Sequence, residues 1–226
     1  MADQKMPERR HIHRTPVYTI IVYFYWLIAK IFFFMRFEGL ERVPHGVPCI
    51  LMGNHQCMLD PVTLALCARD RELRFMGKKE LFEIPFLGKI FRMAHGFPVD
   101  RGNMDMSAIR TSIGVLAEGE SLGIFPEGTR SHTGHMLPLL GGASMIALRG
   151  KCPVVPVYID GNYRIFRPIV VRIGEPIKMD DLLAGRVNRE SCEELTRRME
   201  TSFFKLSGGR SLPPASETME NKLEEK

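Results

Sequence analysis

The sequence predicts an α/β fold: a mixed or mostly parallel sheet flanked by helices, with a hydrophobic, membrane-associated helix in front of it. Three observations carry this. Short apolar runs, such as residues 48–52 and 153–159, alternate with stretches whose apolar residues recur at helical spacing. Glycine and proline fall between them, as at Gly119 and Gly150. The chain has 226 residues, enough for one large domain with a substantial core. Four segments result: a basic tail over 1–16, a hydrophobic helix over 17–36, the α/β domain over 37–206, and a polar tail over 207–226 expected to be disordered.

Residues 1–16 carry Lys5, Arg9, Arg10, His11, His13 and Arg14 and read as solvated tail. The next stretch, 17–35, is an apolar run interrupted by Lys30 and crowded with Tyr18, Tyr23, Phe24, Tyr25, Trp26, Phe32, Phe33 and Phe34. As a helix it would be about 28 Å long, against a hydrocarbon core of roughly 30 Å. A lysine near mid-bilayer would cost on the order of 2.5–3.5 kcal/mol. Arginines flank both ends, and both flanks cannot lie on the cytoplasmic side of one straight span. A helix dipping into or lying along the cytoplasmic leaflet is therefore expected, with a single span as the alternative. No small-x-small cleavage site follows it.

Strands are expected at 48–52, 73–77, 96–99, 122–125, 153–159 and 169–173. Helices are expected at 61–68, from the Lys78–Lys79 pair through a restart at Pro85 towards Met93, along Met106, Ile109, Ile113 and Leu116, and at 142–149. Ser191-x-x-Glu194 has the form of a capping box, and Leu195, Met199, Phe203 and Leu206 line one face behind it. The formal charge of +5 is spread along the chain, which suits an anionic membrane or phosphate-bearing substrates. No basic–aromatic module for nucleic acid is visible. Five cysteines form no C-x-x-C pair and read as reduced thiols. No metal ligand set is apparent; His132-x-x-His135 and the flanking His95 read as loop polarity.

The chemistry is concentrated in Gly53-Asn54-His55-Gln56-Cys57-Met58-Leu59-Asp60-Pro61. On one helix, positions five apart diverge by about 140°. Pro61, however, suits a first helical position and disfavours helix at Asp60, making Asp60 a candidate N-cap. The turn before it can then fold the His55 ring back, one carboxylate oxygen capping the helix and the other holding a ring N–H. A lone His–Asp pair at this spacing also fits ordinary capping or surface polarity. Oriented by an acid and without a serine or cysteine partner, His55 suits activation of a substrate hydroxyl. No Gly-x-Ser-x-Gly elbow points to a hydrolase.

Three further blocks follow: Gly96-Phe97-Pro98-Val99-Asp100-Arg101, Phe125-Pro126-Glu127-Gly128-Thr129-Arg130-Ser131 and Val154-Val155-Pro156-Val157. Together with Asn54-His55-x-x-x-x-Asp60, their order and spacing resemble the four blocks of the glycerolipid acyltransferases, specifically the 1-acylglycerol-3-phosphate acyltransferase family. The resemblance runs from about Gly39 to Gly174. It implies a membrane-bound transfer of a fatty acyl group from acyl-CoA or acyl-carrier protein to a lysophosphatidic acid hydroxyl, with no further cofactor. His55 and Asp60 would be catalytic. Glu127, Gly128, Thr129 and Arg130 would bind the glycerol-phosphate acceptor, with Arg101 on its phosphate and Lys78 adding charge. Asn54, Gly96, Phe125, Pro126 and Pro156 would support these motifs. Arg101 could instead pair with Asp100, and Glu127 with Arg130. Acceptors such as glycerol 3-phosphate, or a non-catalytic lipid-binding role, are the alternatives.

Overall fold

The computed structural model describes residues 15–68, 70–93, 95–99 and 106–210. The expected basic and C-terminal tails fall almost wholly outside them, as do Asp100 and Arg101. Seven strands build one sheet: β1 (Arg36–Glu38), β2 (Ile50–Gly53), β3 (Leu73–Lys78), β4 (Phe97–Val99), β5 (Ser121–Ile124), β6 (Val154–Asp160) and β7 (Val170–Ile173), in the order β1-β7-β6-β2-β5-β3-β4. Every neighbouring pair is parallel except β6–β7, which is antiparallel. The mixed α/β sheet is thus the one expected. β1 was not anticipated: three residues with an exposed–half-buried–exposed pattern give no periodic signal.

The central strands are buried on both faces, which explains their near-continuous apolar sequences. Alternate residues still divide two cores. Ile50, Met52, Leu122, Ile124, Val154 and Tyr158 face α5 (Met106–Ala117), α6 (Gly141–Gly150) and α8 (Arg189–Leu206). Leu51, Val155, Val157, Ile159, Val171 and Ile173 face α1 (Pro16–Phe32) and α2 (Asp60–Cys67). At Gly123 the second face is left open for the Phe75 ring; a Cβ there would lie 2.1 Å from Phe75 Cε1. Shorter helices α3 (Lys79–Glu83), α4 (Pro85–Met93) and α7 (Asp180–Leu183) complete the connections, α7 being unforeseen in the sequence.

Two element boundaries correct the sequence reading. α1 has a proline in its first turn and Thr15 as its N-cap, and it stops at Phe32 rather than running to Met35. The Phe33 and Met35 amides both donate to Ala29 O at 3.2 Å, and Phe34 adopts a left-handed φ of 41°. None of the helices among the described residues is long and apolar enough to cross a membrane. One face of α1 is buried on α2 through Tyr18, Val22 and Tyr25; Ile20, Tyr23, Phe24, Leu27 and Ile31 face outward. Lys30 lies in its last turn, with Nζ 5.0 Å from the Trp26 ring.

The second correction concerns α8. Its N-cap is Asn188, whose Oδ1 accepts the Ser191 amide at 2.8 Å while Ser191 Oγ accepts the Asn188 amide at 3.0 Å. Ser191 is thus the inner partner of the capping box and not the cap. Glu194 is left to pair with Arg198 one turn on, at 2.7 Å.

Candidate active site

β2, β5 and β6 run parallel, so their C-terminal ends open on one edge of the sheet. That edge is where ligands collect in open α/β folds. The chain leaves β2 into the His55 turn, β5 into the 125–131 loop and β6 into the loop around Tyr163. Asn54 extends β2 sideways beyond its last paired residue. Its amide Nδ2 donates to Ile159 O at 3.1 Å, and its Oδ1 accepts the Ile159 amide at 2.7 Å. A buried side chain thereby reproduces a ladder step and fixes where the turn begins.

His55 is gripped from both sides of its backbone. Its amide donates to Glu127 Oε1 at 2.7 Å, and its carbonyl accepts the Ser131 amide at 2.8 Å. The Phe125 ring stacks on the imidazole, with centroids 4.2 Å apart and planes 21° from parallel. Phe125 to Gly128 form a tight turn, closed by the Gly128 amide on Phe125 O at 3.0 Å. Gly128 has φ +69°, and a Cβ there would meet Leu140 Cδ1 at 2.4 Å, so the turn demands glycine.

Asp60 Oδ2 lies 2.9 Å from His55 Nδ1 and accepts the amides of Gln56 at 2.6 Å and Cys57 at 2.7 Å. An oxygen already accepting two main-chain N–H groups is an acceptor for the ring as well. The network therefore assigns the proton to Nδ1 and leaves Nε2 free of it. The fold-back inferred from the spacing is present, but its partners differ. Helix α2 begins at Asp60 with Leu59 in the cap position, so Asp60 caps nothing; its carboxylate binds the turn that precedes it.

Among the other sequence-derived positions, Glu127 is turned inward. Its Oε1 holds the His55 amide and its Oε2 the Leu137 amide, at 2.7 Å each, so it contacts neither Arg130 nor open space. Burial pushes its carboxyl up to about 7, against the two amide bonds that favour the charged form and with a smaller push from Asp60. Thr129 and Arg130 are exposed on the same loop, and no carboxylate among the described residues pairs with Arg130. Lys78 ends β3 and is exposed, pairing with Glu80 at 3.0 Å. Gly96 precedes β4 in close packing, its amide on Phe91 O at 2.8 Å. Pro126 and Pro156 are buried, Pro156 beside Met52 in the sheet. His95 pairs with Glu72 at 3.1 Å, and Cys57 is a free thiol whose amide serves Asp60.

Sequence reasoning missed Ser131 as a grip on His55 and Tyr163 as a donor to Asp60. The second had one available signal: an aromatic hydroxyl just after a buried strand, on the edge where the other blocks emerge.

The site is thus a parallel-stranded sheet edge carrying a histidine oriented by a buried acid. The chain belongs to the acyltransferase family, whose model matches residues 34–160. Its relatives are narrower in kind. It is 37% identical over 171 residues to the 1-acyl-sn-glycerol-3-phosphate acyltransferase of Bacillus subtilis, covering 74% of this chain and 84% of that one. It is 34% identical to the enzyme of the same name from Streptococcus pneumoniae, covering 76% of this chain and 65% of that one. The crystal structure of the 1-acyl-sn-glycerophosphate (LPA) acyltransferase PlsC from Thermotoga maritima has the same fold, with a TM-score of 0.64 at 26% identity, covering 84% of this chain and 78% of that one.

The raised Glu127 carboxyl has a consequence for stability. Its folded value of about 7 exceeds the ordinary 4.5, so the folded state holds this proton more tightly than the unfolded chain. Its contribution is complete below pH 4.5 and is lost as the pH rises through about 7. Glu127→Gln cannot titrate. The wild-type stability measured relative to this variant by urea unfolding should therefore fall between those two values; a difference that stays flat would refute the shift.

Proposed function

We propose that this acyltransferase moves a fatty acyl group from acyl-CoA or acyl-carrier protein to the free hydroxyl of 1-acylglycerol 3-phosphate, giving phosphatidic acid at the cytoplasmic face of a membrane. The observation that carries the reading is the imidazole held through Nδ1 by buried Asp60, with Nε2 left as a base. The names of the relatives support the acceptor.

In this mechanism Nε2 takes the acceptor's hydroxyl proton as its oxygen attacks the thioester carbonyl. The new C–O bond forms, the tetrahedral centre collapses, and the C–S bond breaks. The departing sulfur takes the proton back from the imidazolium, leaving His55 neutral. Asp60 stabilises the charged ring between these steps, as the acid of a catalytic triad does. No acyl-enzyme is needed because the nucleophile belongs to the substrate. Arg130, exposed beside the dyad's loop and able to present a planar fork, receives the acceptor phosphate. Arg101 follows β4, which ends on the same sheet edge, and is assigned to that phosphate by the sequence motif.

An acceptor dissolved in a bilayer requires the site at the interface. The outward face of α1 supplies apolar and aromatic surface, and the 161–169 loop extends it. Ile165 and Phe166 are 62% and 65% exposed, and the Phe166 ring lies 6.3 Å from both Phe32 and Phe34. Arg36, Arg164 and Arg167 fringe this patch, exposed and without a carboxylate partner among the described residues. Apolar insertion ringed by arginines suits an anionic leaflet.

Purified protein with a labelled thioester and 1-acylglycerol 3-phosphate tests the reaction. His55→Ala should lower turnover by at least about 10²-fold with vesicle binding unchanged, while Arg130→Ala raises the acceptor KM and leaves the donor KM alone. Substantial turnover in the histidine variant, or equal use of a phosphate-free acceptor, would contradict the reading. Flotation with anionic vesicles tests the seating: Phe24→Asp with Phe166→Asp should release the protein without changing its melting temperature, and retention would mean that another surface binds.

A further inference from the structure

The acid of the dyad carries a bond on its far side. Asp60 Oδ1 accepts the phenol proton of Tyr163 at 2.7 Å, and no other donor among the described residues bonds this buried oxygen. Tyr163 lies in the loop after β6, 103 positions from Asp60 in the chain. Its own oxygen is 2.9 Å from Thr63 Oγ1 on α2, and that hydroxyl is 2.7 Å from the Tyr25 hydroxyl on α1. A hydroxyl owns one proton. The proton of Tyr163 goes to Asp60, so Thr63 must donate to Tyr163, and Tyr25 must donate to Thr63. The chain of bonds runs one way, from α1 to the carboxylate, and such chains reinforce each bond in turn. Both phenols stay protonated: burial pushes Tyr25 up to about 12, and burial, followed by the negative charge of Asp60, raises Tyr163 as well.

The Tyr163 ring is fixed from the same direction. Phe33, immediately after α1, meets it edge-on at 5.7 Å and 87°. The loop backbone is tied there too, with the Phe166 amide on Phe32 O at 2.7 Å and the Ile169 amide on Phe33 O at 3.1 Å. The end of α1 therefore holds the loop, the loop holds Tyr163, and Tyr163 holds the acid.

We propose that Tyr163 is a positioning residue for acyl transfer, and that the Tyr25–Thr63–Tyr163 hydroxyl chain makes the seating of α1 on the domain a condition for a correctly held His55–Asp60 pair. The proposal rests on His55 being the base. Without the Tyr163 bond, Oδ1 is a buried acceptor with no donor, and the carboxylate is free to turn in search of one. The angle at which Oδ2 meets Nδ1 then loosens, and the cost appears in the chemical step rather than in acceptor binding.

The test uses the full chain on anionic vesicles with a labelled thioester and 1-acylglycerol 3-phosphate. Tyr163→Phe keeps the ring against Phe33 and removes only the donor. Its kcat should fall about tenfold with the acceptor KM unchanged, and Tyr25→Phe should lose less in the same sense. In an Asp60→Asn background Tyr163→Phe should cost nothing further, because its effect passes through the carboxylate. Thr63→Val breaks the chain one bond earlier and serves the same purpose if Tyr163→Phe melts early. Wild-type kcat in Tyr163→Phe, or the same fold-loss with and without Asp60, would overturn the proposal. These results are separable from failure of the reaction scheme: an active His55→Ala enzyme sinks the scheme, whereas an inactive one beside a fully active Tyr163→Phe sinks the positioning role alone.

Discussion

Four donors meet on the carboxylate of Asp60: the His55 ring, the Gln56 and Cys57 amides, and the Tyr163 phenol. A carboxylate buried this deeply would be costly alone. Surrounded by N–H and O–H groups, it instead becomes the fixed point from which the His55 turn, the start of α2 and the loop after β6 take their positions. Removing any one donor leaves the others holding a less well-placed oxygen, so the arrangement ties the orientation of the His55 ring to local folding. The proline after Asp60 belongs to this logic, since it starts α2 and leaves the turn to the carboxylate.

The second grip on the histidine comes from the block that the sequence associates with substrate. Glu127 holds the His55 amide and Ser131 its carbonyl, and Phe125 lies flat on the ring. Two of the most recognisable residues of this block, Glu127 and Gly128, thus serve the loop's own shape and the seat of His55. Thr129 and Arg130 remain turned outward, where an anionic head group could approach. One short loop both supports His55 and presents an exposed arginine, and a parallel sheet that opens β2, β5 and β6 on one edge makes this possible.

Much of this was legible in the sequence because the signals are local. The alternation of apolar strands with helical repeats gave the sheet its central strands within a residue or two, and Pro61 revealed that Asp60 could not sit mid-helix. Where signals were short or shared, the reading slipped. β1 has three residues and no repeat. Ser191 suits either side of a capping box, and Asn188, three residues earlier, took the cap. The end of α1 depends on a left-handed Phe34 that no propensity would suggest. Tyr163 was hidden for a different reason: its importance arises from a contact across more than a hundred residues, created by the order in which strands assemble rather than by any motif around it.

The central claim is a proton location: Nδ1 of His55 bears hydrogen because Asp60 demands it, and Nε2 does not. Nitrogen NMR of the imidazole in selectively labelled, full-length protein at neutral pH reads this directly. The account requires that the neutral tautomer carry its proton on Nδ1, and that this signal change in Asp60→Asn. A ring carrying its proton on Nε2, unaltered by loss of the acid, would contradict it.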